Sequence, residues 1–119
     1  MEEATKPSMA NYKRHVLVCI GDQCAKDGEG LALFNELKEK LVTAGLDKGD
    51  ARVIRSKTPC LGICKSGPLV CVHPEGIWYY NINSNKLDRI IDEHLIAGNP
   101  VHEWVCHNHN NLTIPTTAE

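Results

Sequence analysis

Two cysteine pairs, each lying beyond a β-type run and separated by one helical pattern, constrain this chain more than any other feature. They are Cys19-x4-Cys24 and Cys60-x3-Cys64, with 35 residues between them. The first follows His15-Val16-Leu17-Val18-Cys19-Ile20, a β-rich run that Gly21-Asp22 brings to a stop. The second lies among Pro59, Gly62, Gly67 and Pro68, residues that interrupt regular structure and turn the backbone sharply. Loops that follow parallel strands of an α/β sheet leave at the same edge, so two pairs far apart in sequence can meet there around one metal centre.

The rest of the chain supplies elements for such a sheet. Over residues 29–44 the apolar Leu33, Phe34, Leu37, Leu41 and Ala44 recur at three- and four-residue intervals, an amphipathic helix with Gly45 as its C-terminal cap. A short second strand is expected at 51–55. Runs at 69–73 and 77–82 flank Pro74-Glu75-Gly76 and read as a β-hairpin, Gly76 taking the positive φ. Ser84 is expected to cap a last helix whose apolar face is Leu87, Ile90, Ile91 and Leu95, ended by Gly98 and Pro100. The order β, α, β, loop, β, β, α predicts an α/β, thioredoxin-like fold: a mixed sheet of four to five strands flanked by two main helices. One domain over residues 13–106 is expected, with a flexible leader at 1–12 and a flexible tail at 107–119.

Charge and hydropathy remove several classes of function. A net charge of -2 without a Lys/Arg run gives no footprint for nucleic acid. The longest apolar stretches, 15–20 and 69–72, fall far short of the roughly 20 residues a membrane span needs. The start, Met-Glu-Glu, carries no apolar signal region, so a cytoplasmic location is expected. That compartment keeps thiols reduced, and six cysteines there point to metal or redox chemistry rather than disulfides. No hydrolase triad, paired catalytic carboxylates or nucleotide fingerprint is visible, and Gly28-Glu29-Gly30 is too short to be a phosphate loop. The chain reads as a non-enzyme with no substrate site of its own.

A [2Fe-2S] rhomb takes four thiolates and backbone N–H donors to its sulfur atoms, and Gly21, Gly62 and Gly67 permit the close backbone approach. Zinc also takes four thiolates, mostly through shorter pairs, so the spacing favours iron-sulfur while leaving zinc, and a zinc-stabilised interaction module, open. A thioredoxin-type dithiol fits poorly: Cys60-Leu61-Gly62-Ile63-Cys64 has three residues between its cysteines where that active site has two.

Four segments carry a resemblance: 15–19; Cys60-Leu61-Gly62-Ile63-Cys64-Lys65-Ser66-Gly67-Pro68-Leu69-Val70; Pro74-Glu75-Gly76-Ile77-Trp78-Tyr79; and Ile91-Asp92-Glu93-His94-Leu95 leading to Gly98-Asn99-Pro100-Val101. In this order they resemble the thioredoxin-like [2Fe-2S] ferredoxins, which share a fold with a small iron-sulfur subunit of NADH dehydrogenase and of related NAD-dependent hydrogenases. The resemblance spans residues 14–105. It implies a single-electron carrier working between redox partner proteins, with a [2Fe-2S] cluster held by Cys19 and Cys24 on one iron and Cys60 and Cys64 on the other. It also implies a homodimer for free-standing members. Several of these have a longer insertion between the first two cysteines, whereas the x4 spacing here is similar to that of the dehydrogenase subunit. A small subunit of an NAD-linked oxidoreductase is therefore the alternative.

Other residues are assigned more modest roles. Cys71, between Val70 and Val72, reads as sheet packing, and His94 as capping or packing. Cys106 with His102, His107 and His109 could bind an adventitious metal but reads as part of a solvated tail. Trp78 and Tyr79 are candidates for a dimer interface or for the core. Asp22, Gln23 and Lys65 adjoin the ligands and could tune the potential or meet a partner; Asp88, Asp92, Glu93 and Glu103 form either an acidic docking face or a solvated helix surface.

Overall fold

The computed structural model describes residues 4–21, 28–59 and 67–108. Its first strand, β1 (Arg14–Cys19), buries Arg14, Val16 and Val18 and leaves His15 and Leu17 half-covered, the period of two that a strand with unequal faces requires. β1 leads into α1 (Glu29–Thr43), and the chain returns as β2 (Val53–Thr58), parallel to β1 in register from Arg14↔Val53 to Cys19↔Thr58. A helical crossover is the usual way to set two consecutive strands parallel. β3 (Val70–His73) and β4 (Ile77–Tyr79) form the expected hairpin, with Gly76 at φ 71°, and β3 lies antiparallel to β1 on the side away from β2. The finished mixed sheet has five strands in the order β2-β1-β3-β4-β5.

Leu33, Leu37 and Leu41 of α1 meet Leu87, Ile90, Ile91 and Leu95 of the last helical segment in one cluster with Val16, Val18, Val70, Val72 and Tyr79. Both helices therefore cover the same face of the sheet. α1 ends one residue earlier than expected, with Ala44 rather than Gly45 as its cap; Gly45 follows at φ 74° and directs its N–H to the Val42 carbonyl.

Four further expectations change. β2 starts later and runs further than 51–55, because its extent is set by pairing with the six residues of β1; its polar Ser56, Lys57 and Thr58 are tolerated on an edge strand. The last helix, α2 (Ser84–Arg89), is capped by Asn83 rather than Ser84, the Asn83 Oδ1 accepting from the Lys86 N–H at 2.8 Å. α2 continues as a π-helical stretch, Ile90–Ile96, before Gly98 at φ 83° closes the helical run. Beyond a short 3-10 turn (His102–Trp104), β5 (Val105–Asn108) pairs with β4, so the boundary expected after residue 106 falls inside a strand. Backbone pairing at the sheet edge, rather than apolar alternation, makes that strand. Of the expected tail, residues 109–119 lie outside the described residues.

Candidate metal centre

Of the four predicted ligands the structure describes Cys19, at the C-terminal end of β1. Cys19 is the last residue of β1 and fully buried, packed with Leu69. Its N–H donates to the Leu69 carbonyl at 3.0 Å, and the next N–H, of Ile20, donates to the Thr58 carbonyl at 2.8 Å. Cys19 Sγ lies 4.0 Å from the carbonyl oxygen of Pro59. One backbone position is thus fixed against the end of β2 on one side and the approach to β3 on the other.

Cys24, Cys60 and Cys64 lie outside the described residues, as do Asp22, Gln23, Gly62 and Lys65, but the chain on both sides of them is described. Residues 22–27 leave from Gly21, and residues 60–66 leave from Pro59 and return at Gly67. Gly21 and Pro59 are in direct apposition: a Cβ added at Gly21 would stand within 3.0 Å of the Pro59 carbonyl oxygen. Leu69, two residues past Gly67, holds the Cys19 N–H. Gly21, Pro59 and Leu69, each at or near a border of a cysteine-bearing segment, therefore converge on one end of the sheet. A buried thiol and a seam that admits no side chain there fit a group ligated by sulfur, as a cluster requires.

Elsewhere, the predicted residues sort by burial. Cys71 is fully buried in β3, as expected for packing, and its Sγ lies 3.4 Å from His73 Nε2; burial, with Cys106 nearby, pushes its thiol up to about 12. Cys106 is exposed on β5. Among the described residues no three His, Cys, Asp or Glu side chains are grouped closely enough to hold a metal ion. Tyr79 is fully buried in the core, which removes it from any interface, while Trp78 is half-covered and meets the His107 ring edge-on. The acidic surface is partly neutralised by the chain's own cations: Lys40 pairs with Asp88 at 2.6 Å, and Arg89 with both Glu93 and Glu103.

Sequence reading placed His94 as capping or packing and missed its bonding. The ring is fully buried, its Nδ1 is 2.7 Å from the Tyr79 hydroxyl, and its Nε2 is 3.4 Å from Glu75 Oε2. Glu75 Oε2 in turn accepts from Arg14 Nε at 2.8 Å. This set lies around Arg14, at the opposite end of β1 from Cys19.

Fold and site together define a small α/β protein in which described residues bordering the cysteine-bearing segments meet at one sheet end. The family model described as thioredoxin-like [2Fe-2S] ferredoxin matches residues 7–95. A 2Fe-2S ferredoxin of Clostridium pasteurianum is 31% identical over 98 residues, covering 78% of this chain and 95% of that one. A 2Fe-2S ferredoxin of Aquifex aeolicus is 32% identical over 105 residues, covering 82% and 91%. The crystal structure of the wild-type thioredoxin-like [2Fe-2S] ferredoxin from Aquifex aeolicus superposes with a TM-score of 0.71 at 32% identity, covering 82% of this chain and 99% of that one.

The chain belongs to the thioredoxin-like [2Fe-2S] ferredoxin family. It is an iron-sulfur electron carrier, and its cofactor is a [2Fe-2S] cluster, which sets aside the zinc reading that spacing alone left open.

Proposed function

We propose that Cys19, Cys24, Cys60 and Cys64 hold the cluster, Cys19 and Cys24 on one iron and Cys60 and Cys64 on the other, and that the protein passes single electrons between redox partner proteins. The observation that carries this reading is the apposition of Gly21 and Pro59 beside the buried Cys19. Chain length supports it: Cys24 is three residues from Gly21, Cys60 follows Pro59, and Cys64 is three residues from Gly67. At ~3.6 Å per residue, each α-carbon stays within about 11 Å of the described residue that borders its segment, Gly21, Pro59 or Gly67.

When bound, the cluster supplies reversible one-electron chemistry. The chain's share is to fix the thiolates, exclude water from the Cys19 side and offer backbone donors. No substrate site of the protein's own is needed, and a cytoplasmic setting would keep the thiols reduced for assembly. Among the described residues no helix is long and apolar enough to cross a membrane. A free-standing homodimeric shuttle is the first reading of the partner question; the x4 spacing favours the second, a small subunit of an NAD-linked oxidoreductase.

The test is ligand substitution with iron and acid-labile sulfide measured on purified protein. Cys60→Ala and Cys64→Ala should lose stable cluster, while Cys71→Ala and Cys106→Ala should keep two irons and two sulfides per chain. Normal iron content in Cys60→Ala refutes the ligand set. Gel filtration of the loaded native protein, with pull-down from its own cells, separates a dimeric shuttle from a subunit of a larger complex.

A further inference from the structure

The second residue of α1 is a glycine, which is a poor choice there by local rules. Alanine is the better helix former, and Gly30 follows a helix start at Gly28 that has no side-chain cap. Gly30 is nevertheless buried, and the reason lies across the sheet end. A Cβ at Gly30 would stand within 3.0 Å of the Cys19 carbonyl oxygen and 2.8 Å from the Ile20 Cα. Real Cβ atoms essentially never sit so close, and the atoms met are backbone that cannot swing aside. Gly21 repeats the situation on the other side, where the obstacle is the Pro59 carbonyl.

Resting on the reading of Cys19 as a ligand, we infer that Gly21 and Gly30 are positioning residues for the cluster. Gly30 lets the first turn of α1 seat directly on the Cys19 peptide. Gly21 lets the segment leading to Cys24 lie flush against the segment leading to Cys60. With the Leu69 carbonyl holding the Cys19 N–H and the Thr58 carbonyl holding that of Ile20, the end of β1 is clamped from α1, β2 and the approach to β3. Cys19 is thereby a preorganised anchor, in place before metal arrives. The surrounding shell, not the cysteine alone, determines where its sulfur sits. Side chains at positions 21 and 30 would widen the two seams and displace that sulfur relative to the other three.

Gly45 supplies the control. Unlike Gly21 and Gly30 it has a left-handed backbone, at φ 74°, and nothing lies within 4 Å of a Cβ added there, so Gly45→Ala strains the fold without touching the Cys19 seams. The experiment compares Gly21→Ala, Gly30→Ala, Gly45→Ala and Cys19→Ser with the wild type. Folding of the apoprotein is followed by far-ultraviolet circular dichroism. The loaded protein is read by the g values of the reduced cluster and by its midpoint potential. The expected result is that Gly21→Ala and Gly30→Ala fold as apoprotein yet shift the g values and potential or lose the cluster, while Gly45→Ala melts earlier with both readouts unchanged. Should Gly30→Ala fail to fold, Gly21→Ala, which lies outside any helix or strand, decides alone. Wild-type g values and potential in whichever of the two variants fold overturn the inference. Those values in Cys19→Ser instead overturn the underlying ligand reading, so the two failures are told apart.

Discussion

Replacing Tyr79 by phenylalanine should destabilise the protein far more than the loss of one oxygen suggests. The Tyr79 hydroxyl accepts from the Val101 N–H at 3.0 Å, and its own proton is then directed to His94 Nδ1 at 2.7 Å. Tyr79, His94 and Val101 are all essentially without exposure, at 0%, 0% and 2%. Phenylalanine fills the same space, so no cavity is made, but a buried N–H and a buried imidazole nitrogen lose their partner together. Each unsatisfied group costs about 1–3 kcal/mol, which gives a loss of ~2–6 kcal/mol for the pair. At ~4 °C or more per kcal/mol for a domain near this size, the melting temperature should fall by roughly 8 °C or more. Urea unfolding of loaded protein followed by circular dichroism measures the loss, with Tyr80→Phe as control, since Tyr80 is 38% exposed. A Tyr79→Phe variant within ~0.5 kcal/mol of wild type, the usual range of a neutral surface change, refutes the account of the network.

Stability should also fall as the solution is acidified below about pH 6.5. Burial, reinforced by the Arg14 charge and opposed by Glu75, holds His94 below its ordinary value of 6.5, so the unfolded chain takes up that proton first and is favoured as pH drops. Glu75 adds to the same trend at lower pH: burial raises it, but the hydrogen bond and charge of Arg14 more than offset this and hold its carboxyl below 4.5. Urea midpoints between pH 8 and 5 should fall in wild type and fall less in His94→Gln; a flat wild-type profile would sink the assignment. Cys71, with its thiol pushed up to about 12 and no exposure, should resist alkylation in the folded state while exposed Cys106 is modified. Mass spectrometry after iodoacetamide treatment, with and without denaturant, checks the order; early labelling of Cys71 contradicts its placement.

Sequence reading succeeded where a pattern repeats and faltered where a tertiary neighbour decides. Leu33, Leu37 and Leu41 mark α1 because helical spacing puts them on one face, and all three are buried. β5 gave no such signal: Val105, Cys106, His107 and Asn108 do not alternate, and only the β4 backbone beside them makes a strand. Ser84 and Asn83 are equally good caps on paper, and the fold selects Asn83. Tyr79 could have been placed, since alternation puts it on the same face as buried Ile77 and the opposite face from Trp78. The Cys19 end was legible as a strand followed by a turn, but its seams were not. Gly30 was set aside with a failed nucleotide motif; its one local clue was a weak helix former in a first helical turn, a rule broken without visible compensation.

The two ends of β1 carry different duties. Arg14 and Cys19 are five residues apart on one strand, about 17 Å at ~3.3 Å per residue, beyond the distance at which side-chain effects ordinarily couple. At the Arg14 end, a half-buried ion pair and the buried Tyr79–His94 contact tie β1, the β3–β4 turn and the π-helical stretch together through groups that are costly to leave unpaired. At the Cys19 end, cohesion comes from backbone bonds and from glycines that bring main chain against main chain. An electron carrier benefits from that division. Protonation at the Arg14 end changes how firmly the sheet is held at the end of β1 remote from Cys19.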